Sequence, residues 1–443
     1  MHRFGKFLIA GFLVAFTAGP LSAAPKSAKA SQPVYKQVKA KLVRPRGGMP
    51  NVLAKLAAGK EVAVGYLGGS ITAQAGWRVM TLKWFQQTYP KAKVREINAA
   101  IGGTPCGLGV FRLQQDVLRH KPDLVFVEFA VNDGGTRPED IWRAMEGIVR
   151  QIWTRDPTID ICYVYTIYTR GMPNDYAKGL CPRSTSAMEM VAGHYDIPSI
   201  NMGMRVVELQ QAGKLIYKPQ IDPKTKRPLP ARDKIVFAND DCHPRPEGHK
   251  VYTDVITKAI ASMASLARPG PHTIEKPFIV DNWEAAKIVP LKKSMLTAGW
   301  NKLPRDKGLG RRFAKYMPEL WEAARPGEKI TFRFRGAKVL LYDLLGPDGG
   351  QAIITVDGKR RDKPAKRFDS FCTYHRIATL NVADNLAADK VHTVEIEIHP
   401  DQPDRSIVTN REKAKKHFDP KRYDGTAMRV GGVMVLGDIV GGR

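Results

Sequence analysis

The residues equipped for chemistry begin at Gly68-Gly69-Ser70-Ile71-Thr72, where an apolar β-rich run from Glu61 to Leu67 gives way to two glycines and a serine. Far downstream the chain reads Asp240-Asp241-Cys242-His243-Pro244. A serine hydroxyl is a weak nucleophile until an imidazole removes its proton, and the imidazole needs an acceptor on its other ring nitrogen to fix its tautomer. Ser70, His243 and Asp240 are of the types those three roles require. The short spacing of Asp240 and His243 lets one loop present both side chains, and Pro244 stiffens its exit. Gly68 and Gly69 let the backbone turn tightly and leave the hydroxyl uncrowded. Such a set attacks acyl groups, and attack on an ester carbonyl creates an oxyanion that needs prearranged donors. Three candidates are present: the Ser70 backbone N–H, the Gly103 N–H in Asn98-Ala99-Ala100-Ile101-Gly102-Gly103, and the side-chain amide of Asn132 in Val131-Asn132-Asp133.

Each of these has an ordinary structural alternative. Gly-Gly-Ser alone is a common loop, and Asn132-Asp133 alone is a common turn or cap, with Asp133 read as structural. His249, in Pro246-Glu247-Gly248-His249, reads as a helix-surface or packing residue. Glu128, on the strand before the Asn132 block, reads as hydrogen-bonded or paired, with a pocket role left open. Cys242 reads as a small buried filler. Gly102 beside Gly103 leaves the donor open by one residue.

The elements that must position these residues alternate between strand and helix from Val52 to about Leu266. Strand-like runs occur at Val62–Leu67, Val94–Ile97, Leu124–Phe129, Ile159–Ile167 and Pro198–Asn201. Helix-length segments fall near Trp77–Thr88, Val110–Arg119, Pro138–Thr154, Ser184–His194, Met204–Ala212 and Pro246–Ala264. The strand runs lack strict alternation, as strands covered on both faces should, so the expected fold is a three-layer α/β/α parallel sheet. Ligands of such sheets sit beyond the strand carboxyl ends, where Ser70, Gly103 and Asn132 all fall. A Pro- and Lys-rich insertion between Ile216 and Asp233 reads as a loop, either a substrate-side flap or an inert surface segment.

Arg268-Pro269-Gly270-Pro271 breaks the pattern, and short β-rich runs with turn signals follow: Lys329–Arg335, Ala337–Leu344, Ala352–Val356, His375–Val382, Val391–His399 and Gly431–Leu436. They predict a C-terminal β-sandwich of jelly-roll type. Trp283, Trp300, Trp321, Tyr342 and Tyr374 are either a stacking platform for sugar rings or core residues. The expected division is a signal peptide over 1–23, a linker over 24–47, a catalytic domain over 48–267 and an accessory sandwich over 268–443.

The beginning of the chain supports export. Basic His2, Arg3 and Lys6 precede an apolar run from Phe7 to Ala18, and Gly19-Pro20 leads to small residues. That run is too short to span a bilayer, so no integral membrane segment is expected in the mature chain, which would be periplasmic or extracellular. The net charge of +27 is shared between the two halves rather than gathered in one arm. It points to an anionic polysaccharide or an acidic cell surface, or merely to a well-solvated exterior, rather than to nucleic acid. Five cysteines at irregular spacing fit neither a disulfide framework nor a paired zinc motif; they allow one bridge of unspecified pairing. No metal spacing and no phosphate-binding glycine loop is present.

Four ordered blocks together resemble the SGNH (GDSL-like) hydrolases over roughly residues 50–266. They are Tyr66-Leu67-Gly68-Gly69-Ser70-Ile71-Thr72, the Asn98–Gly103 block, Val131-Asn132-Asp133, and Asp240-Asp241-Cys242-His243-Pro244. The first reads Gly-Gly-Ser-Ile where the family name quotes Gly-Asp-Ser-Leu. The resemblance implies a flavodoxin-like sheet, a nucleophile at Ser70, an oxyanion hole of Ser70, Gly103 and Asn132, and an Asp-x-x-His pair at Asp240 and His243, a spacing that selects Asp240 over Asp241. It also implies that no cofactor is needed. The C-terminal segment resembles the sandwiches appended to some carbohydrate esterases of this family. With the export signal, that suggests removal of O-acyl groups, O-acetyl foremost, from a polysaccharide. Alternatives are a lipase or lysophospholipase, a peptidoglycan-directed deacetylase, and a non-catalytic polysaccharide-binding protein on an esterase scaffold.

Overall fold

The computed structural model describes residues 32–266, 268–412 and 419–441. The signal-peptide reading over 1–23 lies outside them. Among the described residues no helix is long and apolar enough to cross a membrane.

The first half is built on six strands: β1 (Val43–Arg44), β2 (Glu61–Gly68), β3 (Lys93–Asn98), β4 (Leu124–Glu128), β5 (Asp160–Tyr165) and β6 (Ser199–Asn201). Their order is β1-β6-β5-β4-β2-β3, and all pairings but β1–β6 are parallel. Without β1 this is the flavodoxin-like order, whose switch point lies beside the first strand, here β2. Every residue of β4 and β5 is buried, which is why neither alternates in sequence.

Among the described residues nine helices flank this sheet: α1 (Pro50–Ala57), α2 (Ser70–Ala73), α3 (Trp77–Thr88), α4 (Cys106–Asp116), α5 (Pro138–Arg155), α6 (Met172–Ala177), α7 (Arg183–His194), α8 (Met202–Gln211) and α9 (Pro246–Ser262). On one flank α4 packs on α5 and α5 on α7; on another α3 and α8 both pack on α9. Helices α5 and α9 open with proline and acidic residues in the first turn, where a missing N–H costs nothing and negative charge meets the helix dipole favourably. The insertion is a loop between two short strands, β7 (Leu215–Ile216) and β8 (Ile235–Val236), which pair in parallel.

The second half is an antiparallel sheet of ten strands: β9 (Ala286–Val289), β10 (Asn301–Lys302), β11 (Trp321–Ala323), β12 (Lys329–Leu345), β13 (Gln351–Val356), β14 (Lys359–Arg360), β15 (Ala365–Lys366), β16 (Arg376–Ala383), β17 (Val391–Ile398) and β18 (Met428–Val440). The two runs expected at 329–335 and 337–344 are one strand. Beyond Gly336, which has φ +154°, β12 exchanges β17 for β16 as its neighbour and keeps β18 on its other side. A separate core, including Phe332, Phe334, Leu341, Val394 and Val433, fills this half.

Two expected boundaries differ from the structure. Residues 33–47 form part of the fold rather than a linker, because Val43 and Arg44 pair with Ile200 and Ser199 and give the sheet an antiparallel edge. Residues 272–286 remain on the first half, beyond the break at 268–271. His272 stacks on Trp153 and bonds Asp160 at 2.8 Å, the Phe278 and Ile279 N–H groups donate to buried Glu146 at 2.6 and 2.8 Å, and Trp283 packs on Phe111. These contacts add donors to buried carboxylates that Asn51, Val52 and Tyr195 also reach. Trp283, Trp300 and Tyr342 are buried and Trp321 is partly so, which assigns them to packing; Tyr374 alone of that set is exposed. All five cysteines are free, so no bridge forms.

The α5 helix meets the Trp283 backbone so closely that a Cβ at Gly147 would stand about 2.6 Å from the Trp283 carbonyl carbon. Gly147→Ala is therefore expected to destabilise the protein by about 1–3 kcal/mol and to lower Tm in a thermal melt. An unchanged Tm would show that the two segments are not packed this way.

Candidate active site

The end of β2 meets the rest of the sheet in a crowded turn. A Cβ at Gly68 would lie 2.8 Å from the Glu128 carbonyl oxygen and from Thr72 Oγ1, so the chain can pass only as glycine. A Cβ at Gly69 would overlap the Asn132 amide, which places that side chain directly over the turn. Ser70 follows as the first residue of α2.

Beneath the turn lies Glu128, fully buried. It accepts Thr72 Oγ1 at 2.8 Å, Thr166 Oγ1 at 2.6 Å and the Gly69 N–H, and so ties together the ends of β2, β4 and β5. Burial pushes its carboxyl up, against the pull of those three donors. Two buried arginines complete the support. Arg78 donates to the carbonyl of Thr72 at 2.9 Å and is ion-paired with Glu96, while Arg112 donates to the carbonyls of Ala99 and Gly68 and pairs with Asp116 at 3.0 Å. Neither is singled out in the sequence. Only their burial singles them out, and no local motif signals it.

The loop after β3 runs beside the serine. The Ile101 N–H donates to the Gly68 carbonyl at 3.0 Å, a Cβ at Gly102 would stand 3.5 Å from Ser70 Cβ, and Gly103 has φ +72°, a left-handed conformation suited to glycine. Asp133 turns away from this space. It accepts the Cys106 N–H at 2.9 Å and Thr136 Oγ1 at 2.9 Å and caps α4.

The second chain segment arrives between β8 and α9. Its base is closed by the Arg245 N–H donating to the Phe237 carbonyl at 2.7 Å. At the tip, Asp241 binds Arg170 at 2.7 Å and Lys218 at 2.8 Å, and its carbonyl accepts the Thr169 N–H at 2.8 Å. Asp241 therefore braces the loop, with Lys218 contributed by the insertion. Its neighbour Asp240 takes the Cys242 and His243 N–H groups on Oδ1 at 2.8 and 2.6 Å, and its Oδ2 lies 2.8 Å from His243 Nδ1. The other face of that ring reaches the serine, with Nε2 to Ser70 Oγ at 2.9 Å. Against a burial contribution that raises it, the backbone and ring donors of His243 and the Cys242 N–H hold the Asp240 carboxyl below the usual carboxylate range. Cys242 packs half-buried against the core, and burial, followed by the Asp240 charge, pushes its thiol up to about 12, so it stays a neutral filler.

His249 is buried one helical turn inside α9. Its Nδ1 accepts the Trp77 N–H at 3.2 Å and its Nε2 lies 3.2 Å from Gln74 Oε1, so a neutral ring protonated on Nε2 joins α9 to the segment following α2. Among the described residues no group of three His, Cys, Asp or Glu side chains converges in the manner of a metal site.

This geometry has clear counterparts. Residues 66–251, which carry all four motif blocks, match the model of the GDSL-like Lipase/Acylhydrolase family. The fold matches a solved two-domain esterase (CEX) active on acetylated mannans, co-crystallised with mannopentaose. The TM-score is 0.67 at 20% identity, covering 90% of this chain and 98% of that one. The same esterase without the oligosaccharide matches at TM-score 0.67 and 20% identity, over 89% of this chain and 97% of that one. The likeness thus extends through the antiparallel half as well. No curated protein sequence matches the chain. The family resemblance read from the four blocks agrees with the matching family model over residues 66–251, and the fold likeness spans both halves of the chain.

The buried His249 ring makes stability depend on pH. Burial, and then the nearness of His243, lowers its pKa from 6.5 to about 4, so between those values the unfolded chain binds more protons than the folded one. Stability should therefore fall as pH drops from about 6.5 toward 4, by at most about 3 kcal/mol from this group. In thermal melts, His249→Gln is expected to lower Tm at pH 7 and to flatten the decline of Tm between pH 7 and 4.5. An equally steep decline in the variant would assign the effect to other groups.

Proposed function

We propose that this chain is an exported serine esterase that removes O-acyl groups, O-acetyl foremost, from a polysaccharide or its fragments. The observation that carries the reading is the His243 ring bridging Ser70 Oγ at 2.9 Å and Asp240 Oδ2 at 2.8 Å. In this reading Ser70 Oγ attacks the ester carbonyl carbon while its proton passes to His243 Nε2. The ionised Asp240 holds the ring by Nδ1 and stabilises the imidazolium. The carbonyl oxygen becomes an oxyanion facing the Ser70 and Gly103 N–H groups and the Asn132 amide. Collapse breaks the bond to the sugar oxygen, which leaves as an alcohol with the proton from His243. Water then enters by the same route in reverse, giving the free acid and restoring Ser70.

Support for a carbohydrate substrate comes from two directions. A cleft of about 470 Å3 begins at Gly103 and Thr104 and continues between Trp283, on the first half, and Leu345 and Arg376 of the C-terminal half, large enough for a saccharide next to the reacting ester. The fold shared with an esterase active on acetylated mannans supports the same class. Export rests on the basic and apolar residues from Arg3 to Ala18.

Ser70→Ala is expected to lower kcat on p-nitrophenyl acetate by about 10⁴-fold or more without changing the far-ultraviolet circular dichroism, and Asp240→Asn by about 10⁴-fold. Asn132→Ala should lose about 10²–10³-fold, mostly in kcat. Retained turnover in Ser70→Ala would end the nucleophile assignment. Acetate release from acetylated mannan and other acetylated glycans, set against hydrolysis of octanoate esters, tests the substrate. A preference for the long chain would replace the glycan by a lipid.

A further inference from the structure

Strand β3 is the free edge of the parallel sheet, and the segment 305–318 of the C-terminal half lies along it. Between them opens a cleft of about 540 Å3 that runs from Arg95 to Ala99, on the loop that continues to Gly103. Its walls carry cations from both sides, Arg95 and Arg119 from the first half and Arg305 and Lys315 from the second, with the His120 ring among them.

The carboxylates on these walls do not offset that charge. Glu96 is engaged by buried Arg78, and Asp116 by buried Arg112 at 3.0 Å. Burial also pushes the Asp116 carboxyl up, against the pull of Arg112. Arg95 pairs with exposed Glu61 at 3.5 Å and donates to the His120 carbonyl at 2.8 Å, and Arg119 donates to the His120 ring at 3.0 Å, which offers no negative charge. Among the described residues Arg305 and Lys315 have no carboxylate partner; the Lys315 ammonium lies over the Tyr316 ring. Burial first, and the Arg78 and Arg112 guanidiniums with it, pull Lys315 below the usual ammonium range, against the nearby Asp116 and Glu96. The same segment carries Lys307, Arg311 and Arg312, all exposed, with Asp306 among them. Like charges held on two facing walls repel each other, and an anion placed between them relieves that repulsion.

We propose that this cleft binds the carboxylate or sulfate groups of an anionic polysaccharide, holding the chain along the β3 edge on the path to Ser70. The binding stands on the cleft alone; only its link to catalysis rests on the esterase reading above. A polymer fits better than a small anion because the cations are distributed along both walls rather than converging on one point. Being exposed, the contacts are individually weak and sensitive to salt.

The test measures binding of the full-length chain, by calorimetry at low and physiological salt, to de-esterified polygalacturonate, dextran sulfate, neutral dextran and oligo-deoxythymidine. Binding to one or both anionic glycans, weakening with salt, and none to dextran is expected; the two glycans distinguish carboxylate from sulfate recognition. The triple variant Arg119→Ala, Arg305→Ala, Lys315→Ala should lose about tenfold in affinity. A control with the same charge loss on the far strand, Lys359→Ala, Arg360→Ala, Lys363→Ala, should lose little, and both should hydrolyse p-nitrophenyl acetate as the parent does. Equal losses in the two triples, equal binding of dextran, or binding of the DNA strand in place of the glycans would overturn the proposal. Glycan binding without any ester hydrolysis would instead remove the esterase reading and leave the cleft standing; hydrolysis without glycan binding would do the reverse.

Discussion

A hydroxyl and an imidazole 173 residues apart in sequence must be held at 2.9 Å, and most of the first half of the chain serves that one distance. Neither partner sits on a long rigid element. Ser70 follows a strand across two glycines, and His243 occupies an irregular loop. Support comes from polar groups buried under the serine and from ion pairs at the surface of the histidine loop. Glu128 fastens three strand ends below the serine, Arg78 and Arg112 gather the carbonyls that the turn leaves free, and Asp241 anchors the histidine loop to Arg170 and Lys218. Buried polar networks of this kind are costly if incomplete and fix a single geometry when complete. His249 adds a neutral bridge between α9 and the segment after α2, so the helix that follows the histidine loop is also joined to the one that carries the serine.

The C-terminal half is joined to this machinery rather than tethered beside it. The connecting segment 272–286 packs on the first half, with Trp283 against Phe111 on α4, the helix that follows Gly103, and the segment 305–318 forms the far wall of a cleft along the β3 edge. The same placement lines two clefts, one that begins at Gly103 and is apolar and aromatic in part, the other rich in cations and running from Arg95 to Ala99.

The parallel sheet was legible because strands covered on both faces leave continuous apolar runs, and five of them appear between Val62 and Asn201. The four motif blocks were legible because glycine, asparagine and the Asp-x-x-His spacing stand out from those runs. Their supports were not. Arg78 and Arg112 lie on helices where arginine ordinarily faces water, and their burial depends on carbonyls supplied by distant loops. Strand β1 has two residues, too few for any period, so 33–47 read as a linker. The join between the halves was missed for a related reason. His272, Phe278 and Trp283 follow a Pro-Gly break without periodic pattern, and only the folded surface of α5 and β5 shows what they cover.

The claim at the centre of this account is that Ser70 is the atom donor that becomes acylated, activated by His243. Reaction of the protein with a fluorophosphonate, followed by peptide mass spectrometry, tests it most directly. One adduct on the peptide containing Ser70, formed far more slowly in His243→Ala, is the predicted result. Ester hydrolysis that continues while Ser70 stays unmodified, or an adduct on a different serine, would contradict it.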